Sequence, residues 1–157
     1  CNTMNGMWGY KLVDRNYKDV ATLVRYLVRT ASLGANLLLN VGPQPNGEFP
    51  AAAVERLRGM GQWLQRYGET IYGTEGGGFK PLDWGGATRK GSRMFVHVTD
   101  NKAGKVTVPL DLEVASAAEY GSSAGIRFEK TGDGIMLHLP PRPEETIDYI
   151  VELNLKD

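Results

Sequence analysis

The chain has 157 residues, and its 18 Lys and Arg balance 18 Asp and Glu, so net charge exerts no pull toward nucleic acid or an anionic membrane surface. A single cysteine, Cys1, excludes an intrachain disulfide and a cysteine-based zinc framework. No apolar run reaches the roughly 18 residues needed to span a bilayer.

Residues 1–4 read as the end of a strand, followed by a glycine-punctuated loop through Trp8-Gly9-Tyr10. A helix is expected over residues 17–33. Val20, Leu23, Val24, Leu27, Val28 and Ala31 recur at helical spacing and make one apolar face. Asn16 is its expected N-cap, Asp19 an acid in its first turn, and Gly34 its left-handed stop.

Asn36 to Val41 is a short unbroken apolar run before Gly42-Pro43. It reads as a strand buried on both faces, as in a parallel sheet. Gly42 to Phe49 is turn-rich, and Pro50 opens a second helix to about Tyr67, with Gly68 as its stop. Val54, Leu57, Gly61 and Leu64 are expected on one face of that helix, Gly61 allowing close packing. A strand covered on both faces needs neighbours on each side, and residues 1–75 do not supply enough of them. The sequence therefore predicts a preceding N-terminal portion.

Gly76-Gly77-Gly78 reads as a flexible break. Beyond it the pattern changes to period two. Met94, Val96 and Val98 alternate with Arg93, Phe95 and His97. Similar alternation runs through Val106 to Leu110, Ile135 to Leu139 and Ile147 to Leu155, with a further short strand at Ile126 and Phe128. Each strand is expected to turn one face in and one face out, with turns at Asp100 to Gly104, Thr131 to Gly134 and Pro140 to Pro143. The expected fold is α/β plus all-β. Residues 1–75 form the final units of a TIM-like (β/α) barrel, and residues 79–157 form an antiparallel β-sandwich.

Loops after strands make the active face of such a barrel, so Trp8 and Tyr10 are candidates to stack on a sugar, or else rings plugging the rim. Asn40, at the end of the buried strand, faces a ligand or satisfies nearby backbone. The Gly42 to Phe49 loop is a weak phosphate cradle without the GxxxxGK[ST] pattern. Asp14, Asp19 and Glu48 are the carboxylates nearest that face, and nothing marks two of them as a glycosidase pair. His97 and His138 are expected to point outward from strands, and Cys1 is a small hydrophobe or a loop thiol.

Four blocks carry a resemblance: Cys1-Asn2-Thr3-Met4-Asn5-Gly6-Met7-Trp8-Gly9-Tyr10, Gly34-Ala35-Asn36-Leu37-Leu38-Leu39-Asn40-Val41-Gly42-Pro43, Glu55-Arg56-Leu57 with Gly61-Gln62-Trp63-Leu64, and Gly68-Glu69-Thr70-Ile71-Tyr72-Gly73-Thr74. In this order and spacing they resemble the α-L-fucosidases of glycoside hydrolase family 29. A looser likeness to the C-terminal β-domain of that family continues over Thr88 to Val98 and Leu139-Pro140. Met7 stands where family members have Ser, and Ala35 where they have Gly.

The resemblance implies a retaining exo-α-L-fucosidase acting on fucosylated oligosaccharides or glycoconjugates without a cofactor. An Asp nucleophile and an acid/base carboxylate would share the work. Both lie upstream of this chain in the family, so neither is carried over to a residue here, and the chain by itself is expected to be inactive. What carries over is support: Trp8, Tyr10 and Asn40 would shape and brace the sugar-facing side. The resemblance also favours a periplasmic or extracellular setting. Two alternatives stand beside it: a sandwich that docks glycan or braces the barrel without catalysis, and a phosphate-binding barrel enzyme.

Overall fold

A computed structural model describes residues 1–122 and 124–156. The described residues form two α-helices, with the strands mostly in antiparallel sheets. In chain order the first elements are β1 (Asn2–Thr3), α1 (Val20–Ser32), β2 (Leu39–Asn40) and α2 (Ala51–Tyr67), the last followed by a 3-10 turn at Gly68–Thr70. Then come β3 (Glu75–Gly76), β4 (Gly85–Lys90), β5 (Arg93–Val98), β6 (Lys105–Val108), β7 (Val114–Glu119), β8 (Phe128–Thr131), β9 (Gly134–His138) and β10 (Tyr149–Leu155).

β1 and β2 pair in parallel, Asn2 opposite Leu39 and Thr3 opposite Asn40. The other strands form a five-stranded sheet in the order β3-β4-β5-β10-β7 and a three-stranded sheet in the order β6-β9-β8, both antiparallel. Met94, Val96, Val98, Val151 and Leu153 meet Val106, Val108, Ile135 and Leu137 in a core between these sheets. A second core forms where Leu23, Val24 and Val28 of α1 and Ala53, Met60 and Trp63 of α2 cover Met4, Phe95 and Ile150. The five-stranded sheet is thus the middle of three layers, with helices on one face and the small sheet on the other.

That layering corrects the expectation of one face in and one face out. Along β5 every residue from Met94 to Val98 is buried, Met94, Val96 and Val98 in the intersheet core and Phe95 against the helices. His97, expected outside, is sealed inside. Its Nδ1 lies 2.7 Å from Asp148 Oδ2, and its Nε2 lies 3.4 Å from Thr88 Oγ1. The Thr88 hydroxyl donates to the Thr70 carbonyl at 2.6 Å, which ties the end of α2 to the sheet. Alternation fixes which residues share a face; it cannot say that a second layer covers the polar face. His138 does point outward, 2.8 Å from Glu129.

The helices are close to expectation, with three corrections. α1 begins at Val20, and its N-cap is Asp19 rather than Asn16: the Asp19 carboxylate accepts the Thr22 amide at 2.7 Å. Gly34 takes the expected positive φ of 69°. On α2 the buried positions are Ala53, Met60 and Trp63, not the row containing Leu57 and Gly61. The close approach is at Gly59, where a Cβ would fall 2.6 Å from Val20 Cγ2; a Cβ on Gly61 meets open space. Gly76-Gly77 is no slack tether either. Gly76 runs along β3 with its missing Cβ 2.8 Å from Ser32 O, and Gly77 lies against Ala87.

A second cross-layer contact lies at the rim. Arg93 on β5 donates to Glu152 on β10 at 2.7 Å and to Glu69 after α2 at 2.6 Å, and Tyr120 donates to Glu69 at 2.9 Å. The guanidinium also sits 4.9 Å from the Phe95 ring centre. Hydrogen bonds from Arg93, then Tyr120, hold the Glu69 carboxyl below its ordinary range.

Candidate functional site at the parallel strand ends

β1 and β2 run in the same direction, so the loops that follow them, residues 4–19 and 41–50, leave from one edge of the pair. The strand expected over Asn36 to Val41 is regular only at Leu39–Asn40 and is not covered on both faces. Leu39 and Val41 pack toward the helices, whereas Leu38 is 65% exposed on the other side. By alternation Asn40 shares the Leu38 side, as does Thr3, its register partner on β1.

Two of the three predicted site residues meet directly. The Asn40 side-chain amide donates to the Trp8 carbonyl at 2.6 Å. Tyr10 joins them through the backbone: a Cβ on Gly42 would lie 2.5 Å from Tyr10 N and 2.6 Å from Gly9 C, so only glycine lets the two loops touch. Asn40 therefore satisfies nearby backbone, one of the two expectations for it, and in doing so holds the loop that carries the aromatic rings. In this chain Trp8 is 61% exposed and Tyr10 36%.

The base of the first loop is stitched from below. Lys18 Nζ donates to the Thr3 carbonyl at 2.7 Å and to that of Asn5 at 3.3 Å, and the Thr3 hydroxyl donates to Asn5 O at 2.6 Å. Sequence alone did not single out Lys18 or Thr3, because their bonds go to backbone and leave no motif. Asn5 is itself nearly buried.

The nearby carboxylates are engaged in local structure. Asp19 caps α1, and the Thr22 hydrogen bonds hold its pKa below the ordinary value. Glu48 accepts from the Asn46 side chain at 3.0 Å. Asp14 Oδ1 accepts the Asn16 amide at 3.1 Å, and its Oδ2 lies under Gly6 with no partner. In the second loop the Gln44 and Gly47 amides bond within the turn and the Glu48 amide donates to Asn46 Oδ1, so these amides do not converge on an anion. Cys1 is exposed. Among the described residues no group of three or more His, Cys, Asp or Glu could hold a metal ion, and no helix is long and apolar enough to cross a membrane.

Residues 1–69 match the family model described as alpha-L-fucosidase. The alpha-L-fucosidase of Branchiostoma floridae is 32% identical over 85% of this chain and 32% of its own length. Among solved structures, alpha-L-fucosidase isoenzyme 1 from Paenibacillus thiaminolyticus superposes with a TM-score of 0.84 at 30% identity, over 99% of this chain and 39% of that one. The Thermotoga maritima alpha-fucosidase in complex with fucose gives 0.81 at 29% identity, over 97% of this chain and 38% of that one. The chain spans about a third of the length of the curated relatives that it matches along most of its own length. In sequence and in fold it is similar to the C-terminal part of the α-L-fucosidases.

Proposed function

We propose that this chain is the C-terminal portion of a retaining exo-α-L-fucosidase that releases terminal α-L-fucose from glycans. Residues 1–75 complete a (β/α) barrel whose earlier strands flank β1 and β2, and residues 79–157 form the bracing sandwich. The observation that carries this is the parallel pair itself. Its two following loops share one edge, Asn40 and Gly42 lock them together, and exposed Trp8 and Tyr10 stand on that edge. Ligands of barrel enzymes bind at the C-terminal ends of the parallel strands. Leu38, exposed on the side away from the helices, suits a face that other barrel strands cover.

In this role Trp8 and Tyr10 offer flat apolar surfaces to the sugar. Asn40 fixes the Trp8 backbone, so no loop ordering has to accompany binding. The nucleophile and the acid/base carboxylate come from the preceding portion. Retention then needs those two carboxyls about 5 Å apart on opposite faces of the fucose.

A bracing role for the sandwich is supported by the side chains at its core. Trp84 packs beside Phe79 against the intersheet cluster instead of standing in an exposed aromatic row.

Activity on 4-nitrophenyl α-L-fucoside tests the proposal. The native polypeptide that carries this chain should release nitrophenol and give α-L-fucose as the first anomer seen by NMR, while residues 1–157 alone should not. Release by the isolated chain, or β-L-fucose as the first product, would sink it.

A further inference from the structure

The hydrogen bonds around His97 count its protons. Its Nδ1 lies 2.7 Å from Asp148 Oδ2, so one proton must sit between them. Its Nε2 lies 3.4 Å from Thr88 Oγ1. A hydroxyl has one proton to give, and Thr88 gives it to the Thr70 carbonyl at 2.6 Å. Thr88 therefore offers His97 only a lone pair, and Nε2 must carry a proton of its own. A neutral imidazole has one N–H, whereas this setting calls for a proton at each nitrogen. The additional proton is shared by the pair, as imidazolium beside carboxylate or as imidazole beside carboxylic acid.

Burial argues for the same count. Both side chains are fully buried, and Asp148 Oδ1 has no hydrogen-bond partner among the described residues. Without the additional proton the pair would keep a net negative charge in the interior. The elements packed around His97 bring no other ionisable partner to it among the described residues. β4 supplies Gly86 and Thr88, β10 supplies Ile150, the 3-10 turn supplies the Thr70 carbonyl, and α1 lays the Ser32 hydroxyl over Gly86. The charges beside them in sequence are engaged elsewhere: Glu69 accepts from Arg93, and Arg89 donates to the Gly91 carbonyl.

We propose that this shared proton is the catch of a pH-sensitive latch between the turn after α2 and the five-stranded sheet. When the proton passes to solvent, one N–H remains on the ring, and the Asp148 carboxylate holds it at Nδ1. Nε2 is then a bare acceptor facing Thr88. The Thr88 hydroxyl turns its proton to Nε2, and the Thr70 carbonyl loses its donor on β4. The seam between residues 1–75 and the sandwich is thereby fastened on the acid side and loosened as pH rises. The latch is independent of the sugar-binding assignment.

The test uses the native polypeptide and follows hydrogen exchange at Ile71 and Tyr72, whose amides close the turn onto the Gly68 carbonyl. Protection, corrected for the intrinsic pH dependence of exchange, should fall about tenfold between about pH 6 and about pH 9, the scale of one lost hydrogen bond. Thr88→Val should show the lower protection throughout, and Thr88→Ser should follow the unaltered protein. Asp148→Asn is the decisive variant. Its amide donates to Nδ1 of a neutral ring and leaves the one N–H at Nε2, so its protection should stay high across the range. A parallel fall in Asp148→Asn and the unaltered protein, or a fall in neither, overturns the proposal. If Asp148→Asn fails to fold, neutron diffraction from deuterated crystals of the unaltered protein decides. Deuterium on Nε2, with the Thr88 deuteroxyl aimed at Thr70, supports the latch, and a bare Nε2 overturns it.

Discussion

Asn40, at the end of β2, donates its side-chain amide to the carbonyl of Trp8 in the loop after β1, across 2.6 Å and 32 positions of sequence. That bond ties the end of β2 to the loop that presents the aromatic rings. Asn40→Ala should leave the fold nearly intact, costing about 1 kcal/mol for one hydrogen bond. Its larger effect should be on binding: KM rising roughly tenfold with kcat changing less, because the loop must then be ordered by substrate. Steady-state kinetics beside a thermal melt separate the two effects, and equal falls in kcat and kcat/KM would show that the bond matters in the transition state instead.

Gly42 and Gly61 make a matched pair. A methyl at Gly42 would fall 2.5 Å from Tyr10 N, whereas one at Gly61 meets nothing within 4 Å. Gly42→Ala should destabilise by about 1–3 kcal/mol, the usual cost of overpacking. Gly61→Ala should stabilise by about 1 kcal/mol through helix propensity. Urea unfolding of both variants checks the signs.

The pair between His97 and Asp148 lies with both side chains fully buried and a separation of 2.7 Å. Removing one partner should be far worse than removing both. His97→Leu should cost about 3–5 kcal/mol because a buried carboxylate is stranded, and His97→Leu with Asp148→Leu should recover most of that. A double-mutant cycle by urea unfolding measures the coupling, and simple additivity would refute it.

Glu69 gives a pH signature. Its carboxyl is held below the ordinary value of 4.5 by Arg93 and Tyr120, so it binds protons less readily folded than unfolded. Its stabilising contribution is therefore complete above that ordinary value and is lost as pH falls through the lower folded one. Glu69→Gln should melt earlier than the unaltered protein at pH 6, and the gap should close as pH drops below about 4.5. A constant gap from pH 6 to pH 3 would contradict this.

The first helix was legible because Val20, Leu23, Val24 and Val28 repeat at helical spacing, and β5 and β10 because their large residues alternate. β4 and β7 were not. Gly85-Gly86-Ala87 and Ala115 to Ala118 lack the branched side chains that signal strands. Gly86 is small because α1 lies on it: a Cβ there would meet Ser32 Oγ at 2.5 Å. A sequence shows the small residue but not the helix resting on it. The positions of Trp8, Tyr10 and Asn40 were readable at a strand end. The Asn40 bond to the Trp8 carbonyl was not, since its acceptor is backbone and carries no residue signature. His97 was misplaced for a related reason, its partner Asp148 standing 51 positions away.

The most direct test of the central claim is a crystal structure of the native polypeptide carrying this chain, soaked with L-fucose. The account predicts fucose at the C-terminal ends of β1 and β2, in van der Waals contact with Trp8 or Tyr10 and with the Asn40 to Trp8 bond intact. Fucose bound elsewhere, with the loop from Met7 to Tyr10 remote from it, would contradict the assignment of this edge as the sugar-binding face.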